Sequence, residues 1–313
     1  MSFMDKPVVT LIIPTHNNGP DLKRAIVSAC EQDFTSPYEV MVVLDACTDG
    51  SLDLVKELQE RYPHLIYYEV ENKSLPMNRI FGAKHAQGDY LMFLDGDDYV
   101  SPQIVSKMYH ALVDNEADLV NCSTIYVRKK RQHKTFFRSN KLMNKYQAYN
   151  AFFSDISFRG FMHTKIFRKD LFLKIDFIDK LQLRNLMYED VLLVFFYLLN
   201  VNKVKCIKDC LHYYNKTNTT SMTSSGYKRS IDGVCVKNLF RYHMEKIQDE
   251  KLKKVFFKHK LRARSLLFAD YLLSYFPDKE TKKRIKKETK HDFKLAYKKK
   301  VDVNDFIYKD LFY

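Results

Sequence analysis

The sequence predicts an α/β protein: a mostly parallel sheet with helices on both faces, followed by a smaller helical C-terminal region. Three observations carry this. Through the first 125 residues, apolar runs of strand length alternate with stripes of helical period. Those runs are nearly continuously apolar, as strands buried on both faces must be. Finally, the basic charge is segregated. Residues 251–313 hold nineteen Lys and Arg against eight Asp and Glu, a net +11 of the chain's +14.

The elements follow in order. Val8 to Ile13 is a first strand, ending at Pro14. After the polar loop Thr15 to Gly19 comes a helix, with Leu22, Ala25, Ile26, Ala29 and Cys30 at i, i+3, i+4, i+7 and i+8. Val40 to Leu44 is a second strand. Ser51 is placed to cap a second helix that carries Leu54, Val55 and Leu58 on one face. Leu65 to Val70 is a third strand, Pro76 to Ala86 a helix and Tyr90 to Leu94 a fourth strand. Pro102 opens a helix to about Val113, and Asp118 to Val127 is a further strand. Arg128 to Lys134 reads as a basic hairpin or loop, Met187 to Asn200 as an apolar helix, and Val204 to Tyr214 as a strand. Helical stripes resume at Tyr227, and the polar stretch Thr217 to Ser225 is the natural hinge. The expected domains are therefore 1–223 and a basic helical region, 224–313.

Composition narrows the class. With 313 residues and 46% hydrophobic content, the chain has ample material for a core. The longest apolar run, Val191 to Leu199, is nine residues, far short of the roughly 20 that span a bilayer. The N-terminus lacks a basic start followed by an apolar segment, so no signal peptide is expected and the protein should be soluble and cytoplasmic. Six scattered cysteines in such a chain are expected to be free thiols, and Cys206 with Cys210 has no second pair to complete a zinc site.

In sheets of this kind ligands bind beyond the carboxyl ends of the strands. The loops Thr15–Gly19, Asp45–Ser51 and Asp95–Asp98 occupy those positions. In Asp95-Gly96-Asp97-Asp98, three carboxylates within four residues repel one another unless a cation sits among them. Oxygen ligands favour a hard divalent ion such as Mg²⁺ or Mn²⁺; the alternative is an acidic turn before the next helix. Asp45, ending the second strand, suits the ring N–H of a base or, equally, a turn. Glu189-Asp190, opening an apolar helix, suits the macrodipole or a general base for a sugar hydroxyl.

Together these pieces resemble family 2 glycosyltransferases, which have the GT-A fold and invert the anomeric centre. The resemblance runs in order over roughly residues 8 to 223. Val9 to Asn18 resembles the opening strand and Pro-Thr-x-Asn loop, and Val42 to Ser51 the Val-Asp-Asp-Gly-Ser-Thr-Asp-Gly-Ser stretch. Arg79 to Gly82 with Ala86 to Tyr90 resembles Arg-Asn-x-Gly…Ala-x-Gly-Glu-Tyr. Phe93 to Asp98 resembles Phe-Leu-Asp-Ser-Asp-Asp, Lys165 to Arg168 the Lys-Leu-Phe-Arg element, and Tyr188-Glu189-Asp190 the acidic pair with the catalytic base. Leu44 replaces the first Asp of the family's Asp-Asp, Ala46-Cys47 its Gly-Ser, and Ile80 its Asn.

The resemblance implies roles. Pro14, Thr15 and Asn17 would line the nucleotide pocket, Asp45 contact uracil, Arg79 sit near the nucleotide and Asp95 approach the ribose or sugar. Asp97 would ligate Mn²⁺ or Mg²⁺ on the diphosphate, and Asp190 would be the general base with Glu189 as neighbour or substitute. The donor would be a UDP-sugar. The acceptor would be an anionic cell-surface polymer, of teichoic-acid or polysaccharide type, or its lipid-linked precursor. The basic tail offers a docking face for such an acceptor or for the inner membrane face, so a peripheral location at that face accompanies the cytoplasmic one. The competing reading is a basic polyanion-binding protein on an inactive glycosyltransferase-like scaffold. Residues 1–150 lack the basic, aromatic surface of nucleic-acid binders, so no nucleic acid is expected.

Overall fold

The computed structural model describes residues 6–128, 131–135, 140–154, 158, 160–175, 188–215, 240, 244 and 247–256. The elements in chain order are β1 (Val9–Thr15), α1 (Pro20–Cys30), β2 (Tyr38–Asp45), α2 (Ser51–Arg61), β3 (Leu65–Val70), α3 (Leu75–His85), β4 (Tyr90–Phe93) and β5 (Tyr99–Val100). Then come α4 (Ile104–Val113), β6 (Leu119–Arg128), β7 (Arg131–Thr135), β8 (Lys141–Asn144), α5 (Lys145–Ser154), β9 (Lys165–Arg168), α6 (Lys169–Phe172), α7 (Glu189–Leu199) and β10 (Lys203–Asn215).

One sheet joins the strands in the order β3-β2-β1-β4-β9-β6-β10-β5. β3, β2, β1 and β4 are mutually parallel. β9 runs antiparallel between β4 and β6, and β6 pairs parallel with β10. The basic hairpin is β6–β7. Alternation along each strand feeds two cores. Ile12, Met41 and Val43 face α3, α5 and α7, while Leu11, Ile13, Val40 and Val42 face α1, α2 and α4. Burial on both faces is why β1 and β2 read as unbroken apolar runs.

Two local expectations are corrected. Ser51 does not cap α2: Gly50 is the cap residue, at φ 80°, and Ser51 is the first helical residue. Asp49 does the anchoring instead, accepting from the Ser51 N–H and hydroxyl. Pro102 precedes α4 by two residues rather than opening it. β8 and β9 had no place in the sequence reading, because four residues are too few to show a period.

Cys30, Cys47, Cys122 and Cys206 are free thiols, as expected. No described helix is long and apolar enough to cross a membrane. The hinge at 217–225, the domain boundary at 223 and most of the basic tail lie outside the described residues. Of the residues described beyond the boundary, three pack into the α/β core: Phe240 stacks on Phe195 with ring centroids 4.2 Å apart, and Met244 and Leu252 are fully buried.

The turn into β4 depends on Gly88. A Cβ there would lie 2.6 Å from the Thr10 nitrogen and 2.7 Å from the Val9 carbonyl carbon. Both are backbone atoms of the central strand and cannot yield cheaply. Gly88→Ala is expected to cost about 1–3 kcal/mol, the usual penalty of overpacking, read as a lowered midpoint in urea unfolding.

Candidate active site

The strand order 3-2-1-4 puts a switch point between β1 and β4, where ligands bind in open α/β sheets. β4 pairs only with Val9 to Ile12, whereas β2 follows β1 to Thr15. β1 therefore projects past β4, and the loop after β1 lies against the acidic loop after β4: a Cβ on Gly96 would fall 3.0 Å from Asn18 Oδ1 and 3.2 Å from Thr15 Oγ1. Pro14 lies on the projecting part, so its missing N–H costs no bond to β4.

The loops after β1 and β2 fasten each other. The Thr15 hydroxyl donates to Asn18 Oδ1 at 2.6 Å. The Thr48 N–H donates to Asn17 Oδ1, and the Gly19 N–H to Asp49 Oδ2, each at 2.8 Å. Asn17 sits at φ 52°, a left-handed conformation that a short polar side chain tolerates. Pro14 and Thr15 are buried, and Asn17 is exposed.

Asp45 is buried at the end of β2. Its carboxylate accepts from the Lys73 N–H at 2.8 Å, the Ser74 N–H at 2.9 Å and Asn78 Nδ2 at 2.8 Å. Three of about four acceptor positions are thus filled from within the chain. Asp45 ties the loop before α3 to the sheet, and its backbone carbonyl accepts from His16 Nδ1 at 2.6 Å.

Arg79, buried on α3, organises the other half of the site. Its Nη1 donates to Glu189 Oε1 and its Nη2 to Asp95 Oδ1, both at 2.6 Å. Its Nε, also buried, has no hydrogen-bond partner. Burial alone would raise the Asp95 carboxyl. Arg79 and His163 outweigh that and hold it well below the usual carboxylate range. Burial of Arg79 is likewise outweighed by Asp95, Glu189 and Asp190, so it stays charged.

Asp190 stands next to this ion pair in the first turn of α7. Burial raises its carboxyl to about 7, with the Glu189 charge adding to the effect. The Glu189 carboxyl is also raised by burial, against the pull of Arg79. One Asp190 oxygen accepts from the Val191 N–H at 2.7 Å. Gly160 admits this turn: a Cβ there would fall 2.9 Å from the Val191 Cα.

Asp97 is half-buried in the loop after β4. Burial pushes its carboxyl up to about 7, helped by the charges of Asp98 and Asp95. Arg24 donates to its backbone carbonyl at 3.2 Å, not to its carboxylate, and among the described residues no cationic side chain pairs with that carboxylate. A carboxylate flanked by two others and lacking a protein counterion fits a hard divalent cation with oxygen ligands.

The structure therefore joins Arg79 to Asp95 and Glu189, with Asp190 beside them, and gathers Pro14, Thr15, Asn17 and Asp45 at the carboxyl ends of β1 and β2. Three buried residues had no site role in the sequence reading. Lys165, on β9, donates to the Phe161 carbonyl at 2.6 Å, and burial depresses its amine to about 7. His163 stacks on His212, with centroids 4.2 Å apart, and reaches Asp95 Oδ2 at 3.7 Å. His212 lies 3.2 Å from Asp98. Lys165 opens a recognisable Lys-Ile-Phe-Arg element, but nothing in the spacing of the two histidines marks them.

The chain is similar in sequence and fold to known proteins. Residues 10–175 match the family described as Glycosyl transferase family 2. The chain is 26% identical over 235 residues to a cholesterol galactosyltransferase of Borreliella burgdorferi, covering 71% of this chain and 64% of that protein. It is 24% identical over 224 residues to the Staphylococcus aureus poly(ribitol-phosphate) beta-N-acetylglucosaminyltransferase TarS, covering 70% of this chain and 37% of TarS. Thus the chain spans less than two thirds of either relative. TarS residues 1–349, solved in complex with UDP-GlcNAc, superpose with a TM-score of 0.66 at 18% identity, over 84% of this chain and 75% of that one. The mannosyltransferase PcManGT from Pyrobaculum calidifontis, solved with GDP-Man and Mn2+, gives 0.57 at 17% identity, over 86% and 73%. The fold is GT-A, as the resemblance implied. With the family's region covering more than half of its length, the chain belongs to glycosyl transferase family 2.

Proposed function

We propose that this chain is a metal-dependent, inverting glycosyltransferase. It moves a hexosyl or N-acetylhexosaminyl unit from a UDP-sugar to a hydroxyl of an anionic cell-surface polymer or its lipid-linked precursor. The observation that carries the reading is the Arg79 clamp. It joins Asp95, in the loop after β4 that also carries Asp97, to Glu189, the chain neighbour of Asp190.

In this reading Pro14, Thr15 and Asn17 line the nucleotide, and Asp45 offers its remaining lone pair to the uracil N–H. Asp95, oriented by Arg79, faces the ribose or sugar. Asp97 holds Mn²⁺ or Mg²⁺, which supplies positive charge for the departing diphosphate when bound. Asp190 accepts the proton of the acceptor hydroxyl as its oxygen bonds to the anomeric carbon. The bond from that carbon to the diphosphate oxygen breaks, and the electron pair leaves with UDP. Glu189 neutralises Arg79 and is not available as a base in the same way. The donor class is supported by TarS, solved with UDP-GlcNAc, and the metal by PcManGT, solved with Mn2+.

The net +11 of residues 251–313 supports an anionic acceptor. It also supports a cytoplasmic location with peripheral attraction to the inner membrane face, since each basic residue near an anionic surface contributes about 1 kcal/mol.

A panel of nucleotide sugars scored by thermal shift with Mn²⁺ tests the donor. A ligand at a hundred times its Kd stabilises the native state by about 2.7 kcal/mol. UDP-sugars are expected to raise Tm, and to do so only with the metal present. Shifts from GDP-sugars that equal or exceed those from UDP-sugars would count against the assignment.

A further inference from the structure

The Asp45 carboxylate is almost fully engaged by its own chain. Its Oδ1 accepts from the Lys73 N–H at 2.8 Å. Its Oδ2 accepts twice, from the Ser74 N–H at 2.9 Å and from Asn78 Nδ2 at 2.8 Å. A carboxylate offers about four acceptor positions, so Oδ2 is filled and Oδ1 keeps one. The backbone bends to achieve this. Lys73 stands at φ 49°, a left-handed conformation uncommon for a lysine, and the turn there brings two successive N–H groups to the carboxylate. Asn78 is buried in the first turn of α3, and its Oδ1 accepts from Asn72 Nδ2 at 2.9 Å. That bond fixes which way the amide lies and turns its N–H groups to Asp45.

We propose that Asn78 is a positioning residue that sets base selectivity: by filling Oδ2 it leaves Asp45 one acceptor, which suits a base edge with one N–H and refuses an edge with two. The proposal rests on the reading in which Asp45 faces the base of the donor nucleotide.

Uracil presents a single N–H between two carbonyl groups. Guanine presents a ring N–H and an exocyclic amino group side by side, a pair that matches both oxygens of a free carboxylate. Against Asp45 the second of these donors meets an oxygen whose lone pairs are taken. It gives up its water and gains no partner, which weakens binding. Hypoxanthine separates this effect from size, because it has the bulk and ring N–H of guanine without the amino group. Asn78 and Arg79 are consecutive on α3, so one helical turn serves the base through Asp45 and the acids through Arg79.

Calorimetric titration of UDP, inosine diphosphate and GDP into the wild type and Asn78→Ala, with Mn²⁺ throughout, tests the proposal. The wild type is expected to bind UDP, and to bind inosine diphosphate more tightly than GDP. Asn78→Ala frees a position on Oδ2. The affinity for GDP relative to inosine diphosphate is then expected to rise by about 10-fold or more, as a hydrogen bond to a charged group is regained. A merely structural role for Asn78 would weaken all three nucleotides together and leave that ratio unchanged. The wild-type comparison of the two purine nucleotides decides the matter even where the variant fails to fold. Three results overturn the proposal and leave the donor reading intact: a wild type that binds UDP but takes GDP as tightly as inosine diphosphate, one that binds UDP and neither purine nucleotide, or an unchanged ratio in folded Asn78→Ala. A wild type that binds no UDP would remove the donor reading and the proposal with it.

Discussion

Asp190→Asn is expected to lower turnover by about 10²–10⁴-fold, the usual worth of a positioned general base, while Kd for the donor stays near the wild-type value. The amide keeps the shape of the carboxylate and its bond from the Val191 N–H, so the α7 turn should survive. The pH profile adds a second readout. A base works only when deprotonated, and burial raises the Asp190 carboxyl to about 7. Wild-type kcat/KM should therefore rise with pH through about 7, and the residual activity of Asp190→Asn should lose that limb. Rates from initial product formation across pH 5–9 check both points. A large loss in Glu189→Gln with near-normal Asp190→Asn would reverse the assignment of the pair.

Arg79→Met is expected to be the most damaging single change to stability. The guanidinium is 97% buried by side-chain area, its exposure being 3%, and it neutralises two carboxylates at once. Removing one partner of a buried ion pair costs about 3–5 kcal/mol, because the remaining charge is left uncompensated. The sign of the pH dependence follows. In the wild type the Asp95 carboxyl is held below its ordinary range, so its contribution is present above the unfolded pKa of about 3.9 and is lost as pH falls through the folded value. Without Arg79 that contribution disappears, and Asp95 and Glu189 ionise at a cost. The deficit of the variant is therefore largest at neutral pH and narrows as pH falls towards about 4. Urea unfolding of both proteins at pH 7 and pH 4.5 measures it, and an equal deficit at both would contradict the electrostatic account.

The parts of the molecule legible in the sequence are those fixed by local pattern. β1, β2 and α1 follow from runs and stripes that need no partner to be recognised, since burial on both faces leaves only apolar residues from Val40 to Leu44. The acidic loops were legible by position, at the ends of such strands. What stayed hidden depends on pairs far apart in the chain. Arg79 and Glu189 are separated by 110 residues, and no spacing rule links them. Asp45 gave no sign that its carboxylate would be occupied by Lys73, Ser74 and Asn78, because two of the donors are backbone N–H groups, which leave no mark in composition, and the third is the side-chain amide of a residue 33 positions away. Ser51 misled for a physical reason: serine is a good cap, but Gly50 takes the left-handed conformation before it and moves the helix start by one residue. His163 and His212 meet only because β10 and the approach to β9 converge through the sheet.

The central claim is that the loops at the carboxyl ends of β1 and β4 hold a nucleoside diphosphate through a divalent ion on Asp97. Calorimetric titration of UDP into the wild type and Asp97→Asn, each with Mn²⁺ and with a chelator, tests it most directly. The account predicts Mn²⁺-dependent binding in the wild type, loss of that dependence in Asp97→Asn, and an unchanged unfolding midpoint showing that the variant is folded. Near-native, Mn²⁺-dependent UDP binding by Asp97→Asn would contradict it.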